Sequence, residues 1–203
     1  MVQAPTPVEK LRSVCLFCGS SDTVDPAYLE AAAAFGRTLA AEDIKLVYGG
    51  GGVGLMGAAA KAAHGAGGKV LGVMPEFLRH RELIYDDVET VVVRNMHERK
   101  RIMFDQSDAF AVFPGGIGTL EEVVELISWR RLHLHAKPIV FLNQNGFWDP
   151  FFALIDHTVR ENLSPAWLSG SWGKASSVAE VLPLMRELIT HVPEDEGEVA
   201  AKA

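Results

Sequence analysis

The chain has 203 residues, 48% of them hydrophobic and 22% charged, with a formal net charge of −7 and a mean hydropathy of +0.12. That is enough apolar chain to build one soluble α/β domain around a sizeable core, and too much for a disordered one. No run reaches the roughly 18 uninterrupted apolar residues of a membrane span, the opening MVQAPTPVEKLR lacks a secretory pattern, and basic residues never cluster beyond Arg99-Lys100-Arg101; these features argue against membrane and nucleic-acid partners and for a cytoplasmic protein.

Residues 1–12 contain two prolines and no periodicity and read as a flexible arm; 193–203 read as a flexible acidic tail. Between them, 13–192 alternate apolar runs with helical patterns. SVCLFCGS reads as a first strand, Pro26–Glu42 as an alanine-rich helix, and IKLVYGG as a second strand before a helix over Gly54–Ala66. KVLGVMP and VETVVVRN are the third and fourth strands, His97–Ser107 a helix, and AFAVFPGG the fifth strand. Thr119–Leu134 carries apolar residues at Val123, Leu126, Ile127 and Leu134, near helical period. PIVFLN is a sixth strand, with helices near Phe147–Asn162 and Val178–His191. KLVY, VLGVM and PIVFL are continuously apolar, as strands buried on both faces are, so the fold class is α/β: a Rossmann-like, doubly wound parallel sheet in three layers and one domain. Ligands of such sheets sit beyond the carboxyl ends of the strands.

The two cysteines, Cys15 and Cys18, have C-x-x-C spacing. A redox pair wants its thiols at a helix start; these lie in a strand, where residues three apart face opposite ways, and read as packed thiols. No further Cys/His pair offers zinc-ligand spacing, and His133 and His135, two apart on one helix, do not share a face.

Two glycine-rich turns join a strand to a helix. Gly49–Gly57 contains G-x-G-x-x-G twice, but the acidic residue of a dinucleotide site is missing from the end of the next strand, where Glu76 stands only beyond Pro75. Tight packing or contact with part of a mononucleotide both remain open. Pro114-Gly115-Gly116-Ile117-Gly118-Thr119 exposes backbone N–H groups and a hydroxyl at a helix N-terminus, a phosphate cradle without the lysine of a P-loop. Monophosphate binding fits it better than triphosphate hydrolysis. Thr119-x-x-Glu122 is also a capping box, so Glu122 reads either as a cap or as a carboxylate placed against a bound ribose; Glu121 points roughly 100° away around the helix. In Met96-His97-Glu98-Arg99-Lys100-Arg101 a solvated basic face competes with Arg99 or Lys100 supplying charge to the anion pocket.

PGGIGTLEE (Pro114–Glu122), together with FCGSS (Phe17–Ser21), VYGGGGVGLMG (Val47–Gly57) and MHERK (Met96–Lys100), resembles the Lonely Guy (LOG) family of cytokinin riboside 5′-monophosphate phosphoribohydrolases, often labelled lysine decarboxylases. The resemblance implies that Gly115, Gly116, Gly118 and Thr119 hold a 5′-phosphate and that Arg99 and Glu122 are the catalytic pair. It also implies that Lys100, Glu82, Ser20, Met96 and Glu121 contact substrate. The implied substrate is an N6-prenyl adenine riboside 5′-monophosphate, with AMP a second; no metal or other cofactor is implied, and the implied assembly is a homodimer with its pocket near the interface, to which Trp129 and the apolar face of 123–134 could contribute. A non-catalytic nucleotide or cofactor carrier on the same fold is the alternative. A pyridoxal-phosphate decarboxylase needs a Schiff-base lysine, and Lys61, Lys69 and Lys137 stand in no such context.

Overall fold

The computed structural model describes residues 10–79 and 83–190. The apolar runs become strands β1 (Ser13–Phe17), β2 (Lys45–Tyr48), β3 (Val70–Pro75), β4 (Glu89–Val93), β5 (Ala109–Val112) and β6 (Ile139–Leu142). A seventh, β7 (Gly173–Ala175), completes a sheet of order β4-β3-β2-β1-β5-β6-β7, in which every pairing is parallel. β7 has no counterpart in the sequence reading: its three residues, Gly-Lys-Ala, carry no apolar run, and only pairing with β6 makes them a strand.

Helices α1 (Pro26–Ala41), α2 (Gly54–Gly65) and α6 (Val178–Thr190) bury apolar residues on one side of the sheet, and α3 (Met96–Asp105), α4 (Ile117–Arg131) and α5 (Asp149–Arg160) on the other. α1 starts where Asp25 accepts the Ala27 N–H and Pro26 occupies the first turn, a position that needs no N–H donor. β1 shows why its run is continuous. Val14, Leu16 and Cys18 pack with Phe35, Leu55 and Met185, whereas Cys15 and Phe17 pack with Met103, Val123 and Phe152. The two thiols therefore lie in opposite layers, and burial pushes both well above the ordinary thiol range.

Both ends of α4 differ from the pattern reading. α4 begins at Ile117, two residues early, and ends at Arg131, with Leu132 capping it. His133 has a φ of 55° and stands past the helix, as does His135, so the pair does not share a helix. Leu134 continues the apolar period but is 51% exposed, because the helix no longer carries it inward.

Chain order fixes where a ligand can sit. From β1 the sheet grows toward β4 on one side, and from β5 toward β7 on the other. β1 and β5 are neighbours, so the segments leaving their carboxyl ends diverge and open a crevice between them.

Candidate active site

A cavity of about 500 Å³ occupies that crevice. Cys18–Ser21 after β1, Pro114–Thr119 after β5, Gly49 after β2, and Arg99 and Glu122 from α3 and α4 all line it. The segment after β1 is held between the two glycine turns: the Gly19 N–H donates to the Pro114 carbonyl (3.0 Å), and the Leu55 N–H donates to the Gly19 carbonyl (3.1 Å). Ser20 is thereby presented to the cavity.

Gly116 is the N-cap of α4, with no side-chain cap bond, and the Leu120 N–H closes the first turn on its carbonyl at 3.0 Å. The amides of Ile117, Gly118 and Thr119 thus have no acceptor inside the helix. A Cβ at Gly116 or Gly118 would meet no atom within 4 Å, whereas one at Gly115 would lie 2.2 Å from the Thr119 Oγ1. Thr119, 3% exposed, folds onto Gly115 and still lines the cavity. This register corrects the capping-box reading: Thr119 is the third helical residue, not the N-cap, and Glu122 lies in the second turn facing the cavity. A side-chain cap forms at α3 instead, where the N-cap Asn95 Oδ1 accepts the Glu98 N–H and Glu98 Oε2 reaches back past it to accept the Arg94 N–H, both at 2.9 Å.

α3 also departs from the solvated-face reading: Arg99 is 5% and Lys100 9% exposed. Arg99 donates from Nε to the Val73 carbonyl (3.1 Å) and from Nη2 to the Gly49 carbonyl (2.9 Å), which ties its guanidinium to the carboxyl ends of β3 and β2. A Cβ at Gly49 would stand 2.0 Å from Nη2, so this approach requires glycine. Lys100 turns the other way, pairing with Glu121 and, at 2.9 Å, with Glu125. Met96 supports Arg99 through an Nη1–Sδ contact of 3.8 Å.

Of the residues the sequence reading placed at the site, Arg99, Glu122, Gly115, Gly116, Gly118, Thr119 and Ser20 share the cavity wall. Lys100, Met96 and Glu121 stand outside that wall, and Glu82 lies outside the described residues. The sequence reading missed the apolar wall, which includes Val24, Tyr28, Leu55, Met56, Met103 and Phe147. Tyr28 and Phe147 meet edge-on at 5.8 Å, across 119 residues of chain that no motif spans. Phe147 was discoverable only as an aromatic just after a strand. Behind the wall, burial foremost and the negative charge of Glu122 next raise both Cys15 and Cys18.

A family model described as "Possible lysine decarboxylase" matches residues 56–185. A probable cytokinin riboside 5′-monophosphate phosphoribohydrolase of Oryza sativa subsp. japonica is 42% identical over 187 residues, covering 91% of this chain and 73% of that protein. A cytokinin riboside 5′-monophosphate phosphoribohydrolase of Arabidopsis thaliana is 41% identical over 191 residues, 93% of this chain and 84% of its own. Among solved structures, a molybdenum cofactor carrier protein from Chlamydomonas reinhardtii superposes with a TM-score of 0.67 at 24% identity, covering 90% of this chain and 100% of that one, a likeness of fold.

Proposed function

The chain belongs to the Lonely Guy (LOG) family, and from that premise we propose that it hydrolyses the N-glycosidic bond of N6-prenyl adenine riboside 5′-monophosphates, and of AMP, to free base and ribose 5-phosphate. One observation carries the mechanism: Arg99 and Glu122 line the same cavity as the open N-terminus of α4. The amides of 117–119 and the Thr119 hydroxyl take the phosphate, where the helix dipole favours an anion. Held there, the substrate presents its anomeric carbon to Glu122. As the C–N bond breaks, its electron pair leaves with the base and positive charge develops on the ribose. The Glu122 carboxylate stabilises that charge and accepts the proton of the water that attacks the anomeric carbon. Arg99 cannot donate a proton at neutral pH and acts by charge and position; its bonds to the Val73 and Gly49 carbonyls hold it in place. Protonation of the departing base falls to solvent. The apolar wall suits a purine with an apolar tail, but such a wall separates prenylated from plain AMP by only about 1–3 kcal/mol, so both react.

The decarboxylase label of the family model finds no support in the cavity. Among the described residues no lysine lines it; Lys61 and Lys69 are exposed, and Lys137 donates to the Phe104 and Ser107 carbonyls. The carrier reading rests on the fold likeness alone, and turnover separates the two. We further assign a cytoplasmic homodimer. Two free thiols suit a reducing compartment, and Val124 on α4 with Leu132 and Leu134 after it, each more than half exposed, suit a subunit contact. Trp129 is half-buried against Phe104 at 5.2 Å.

The test is base release, read by chromatography, from AMP, N6-isopentenyl-AMP, their nucleosides and CMP. The adenine-type monophosphates should be cleaved and the nucleosides should not. Glu122→Gln should lose about 10³-fold in kcat while KM moves little. Equal cleavage of nucleosides would remove the role given to the turn at 115–119.

A further inference from the structure

α3 carries Arg99 and Lys100 in succession, yet their side chains diverge: one reaches the sheet, the other crosses to α4. α4 presents three carboxylates within five residues. Glu121 and Glu125 lie one above the other at i, i+4, and Glu122 stands roughly 100° around the helix from Glu121. Burying an ammonium is costly unless it is paired, and the Lys100 side chain, 10% exposed, spends that cost on Glu121 and Glu125, which are 52% and 23% exposed. Lys100, Glu122 and Glu125 also line one small pocket behind the cavity, walled by Phe104, Phe110 and Trp129. Charges among aromatic rings are screened less than at an open surface.

Among the described residues, the charged and titratable groups around Glu122 come from three parts of the fold. α3 brings two cations, Arg99 and Lys100; α4 brings the two carboxylates that hold Lys100, Glu121 and Glu125; β1 brings Cys15 and the segment after it Cys18, both of which burial keeps protonated. Burial by itself would lower the Lys100 ammonium, but its bonds to Glu121 and Glu125 outweigh that and raise it, so it stays charged. Without Lys100 these described groups would carry one cation, Arg99, against two anions.

We propose that Lys100 is a positioning residue: clamped between Glu121 and Glu125, it offsets their charge and ties α3 to α4, so that Glu122 stays ionised and in register with Arg99. The role rests on the hydrolysis proposed above, and it replaces the direct substrate contact expected for Lys100 from the family resemblance.

The test pairs the pH profile of base release from AMP with a carboxyl ¹³C NMR titration of Glu122, its resonance identified by its loss in Glu122→Gln. In Lys100→Met, kcat should fall about tenfold with KM within about twofold, and the acidic limb and the Glu122 titration should both rise by about one pH unit. Lys100→Arg should bring the limb back, and so should adding Glu121→Gln and Glu125→Gln to Lys100→Met. If Lys100→Met does not fold, Glu125→Gln serves alone: it removes an anion, so the limb and titration should move down by roughly half a unit. A tenfold rise in KM with an unmoved limb would mean that Lys100 touches the phosphate. An unmoved Glu122 titration in a folded Lys100→Met or Glu125→Gln protein would equally overturn the role. Absence of base release from the wild-type protein would instead refute the hydrolytic reading, since the NMR titration still reports on Lys100.

Discussion

The two glycine-rich turns look alike in sequence and are glycine-rich for different reasons. After β2, side chains are excluded by the protein itself: a Cβ at Gly52 would lie 2.4 Å from the Leu83 carbonyl oxygen, and one at Gly57 would lie 2.2 Å from the Gly52 carbonyl oxygen. After β5, Gly116 and Gly118 face open space. A residue kept small where the protein supplies no neighbour leaves room for something the protein binds. The first turn is built to pack and the second is left open, as the proposed phosphate site requires, with Gly49 as the exception in the first, since its missing side chain admits Arg99.

Substitutions can break or sharpen that contrast. The largest effect on folding is expected for Gly57→Ala, which forces a methyl into the Gly52 carbonyl. It should cost about 3 kcal/mol, seen as a fall in Tm of roughly 6–12 °C, with activity per folded molecule retained. Gly49→Ala should do the reverse. The atom it meets is the far end of Arg99, which can swing aside, so kcat/KM should drop about 100-fold while Tm changes by only a few degrees. Acid should act next, on the helix that carries the second turn. His135 bonds to the Leu126 carbonyl of α4 at 3.0 Å through Nε2 and accepts the Lys137 N–H at Nδ1, so it is neutral with the proton on Nε2. Burial, foremost, holds its pKa at about 4, below the ordinary 6.5. The unfolded chain therefore binds the extra proton first, and stability should fall as pH drops from about 6.5 toward 4, by on the order of 2 kcal/mol in chemical denaturation. His135→Gln should flatten that slope. The smallest effect is Gly118→Ala. In the first turn of α4 a methyl there should leave Tm unchanged or slightly raised, yet crowd the phosphate and raise KM about tenfold. A loss of stability without a change in KM would erase the distinction between the turns.

The sequence made some of this legible and hid the rest for identifiable reasons. The inner strands were readable because a strand buried on both faces is apolar along its length, as β3, β5 and β6 are, and the edge strand β4 was readable from its own valine run. β7 was not, because an edge strand of Gly-Lys-Ala declares itself only through its neighbour. The open helix start proposed to hold the phosphate was readable because it needs only adjacent residues, a strand end, glycines and the first turn of α4. Thr119-x-x-Glu122 misled because Gly116, which offers no side chain, took the cap position three residues earlier. The aromatic wall of Tyr28 and Phe147 joins distant segments, and its only local trace was an aromatic following β6.

Lys100 shows the limit most plainly. Its position beside Arg99 suggested a shared target, but each finds its partners in other elements: Arg99 at separations of 26 and 50 residues, Lys100 at 21. What the sequence determined alone is whatever neighbouring residues settle among themselves: apolar runs that must be covered by helices, and a helix start stripped of side chains. What only the tertiary structure decided is which charges face the cavity and which face each other. That choice depends on the cost of burying each charge against the partners that chain folding happens to bring within reach.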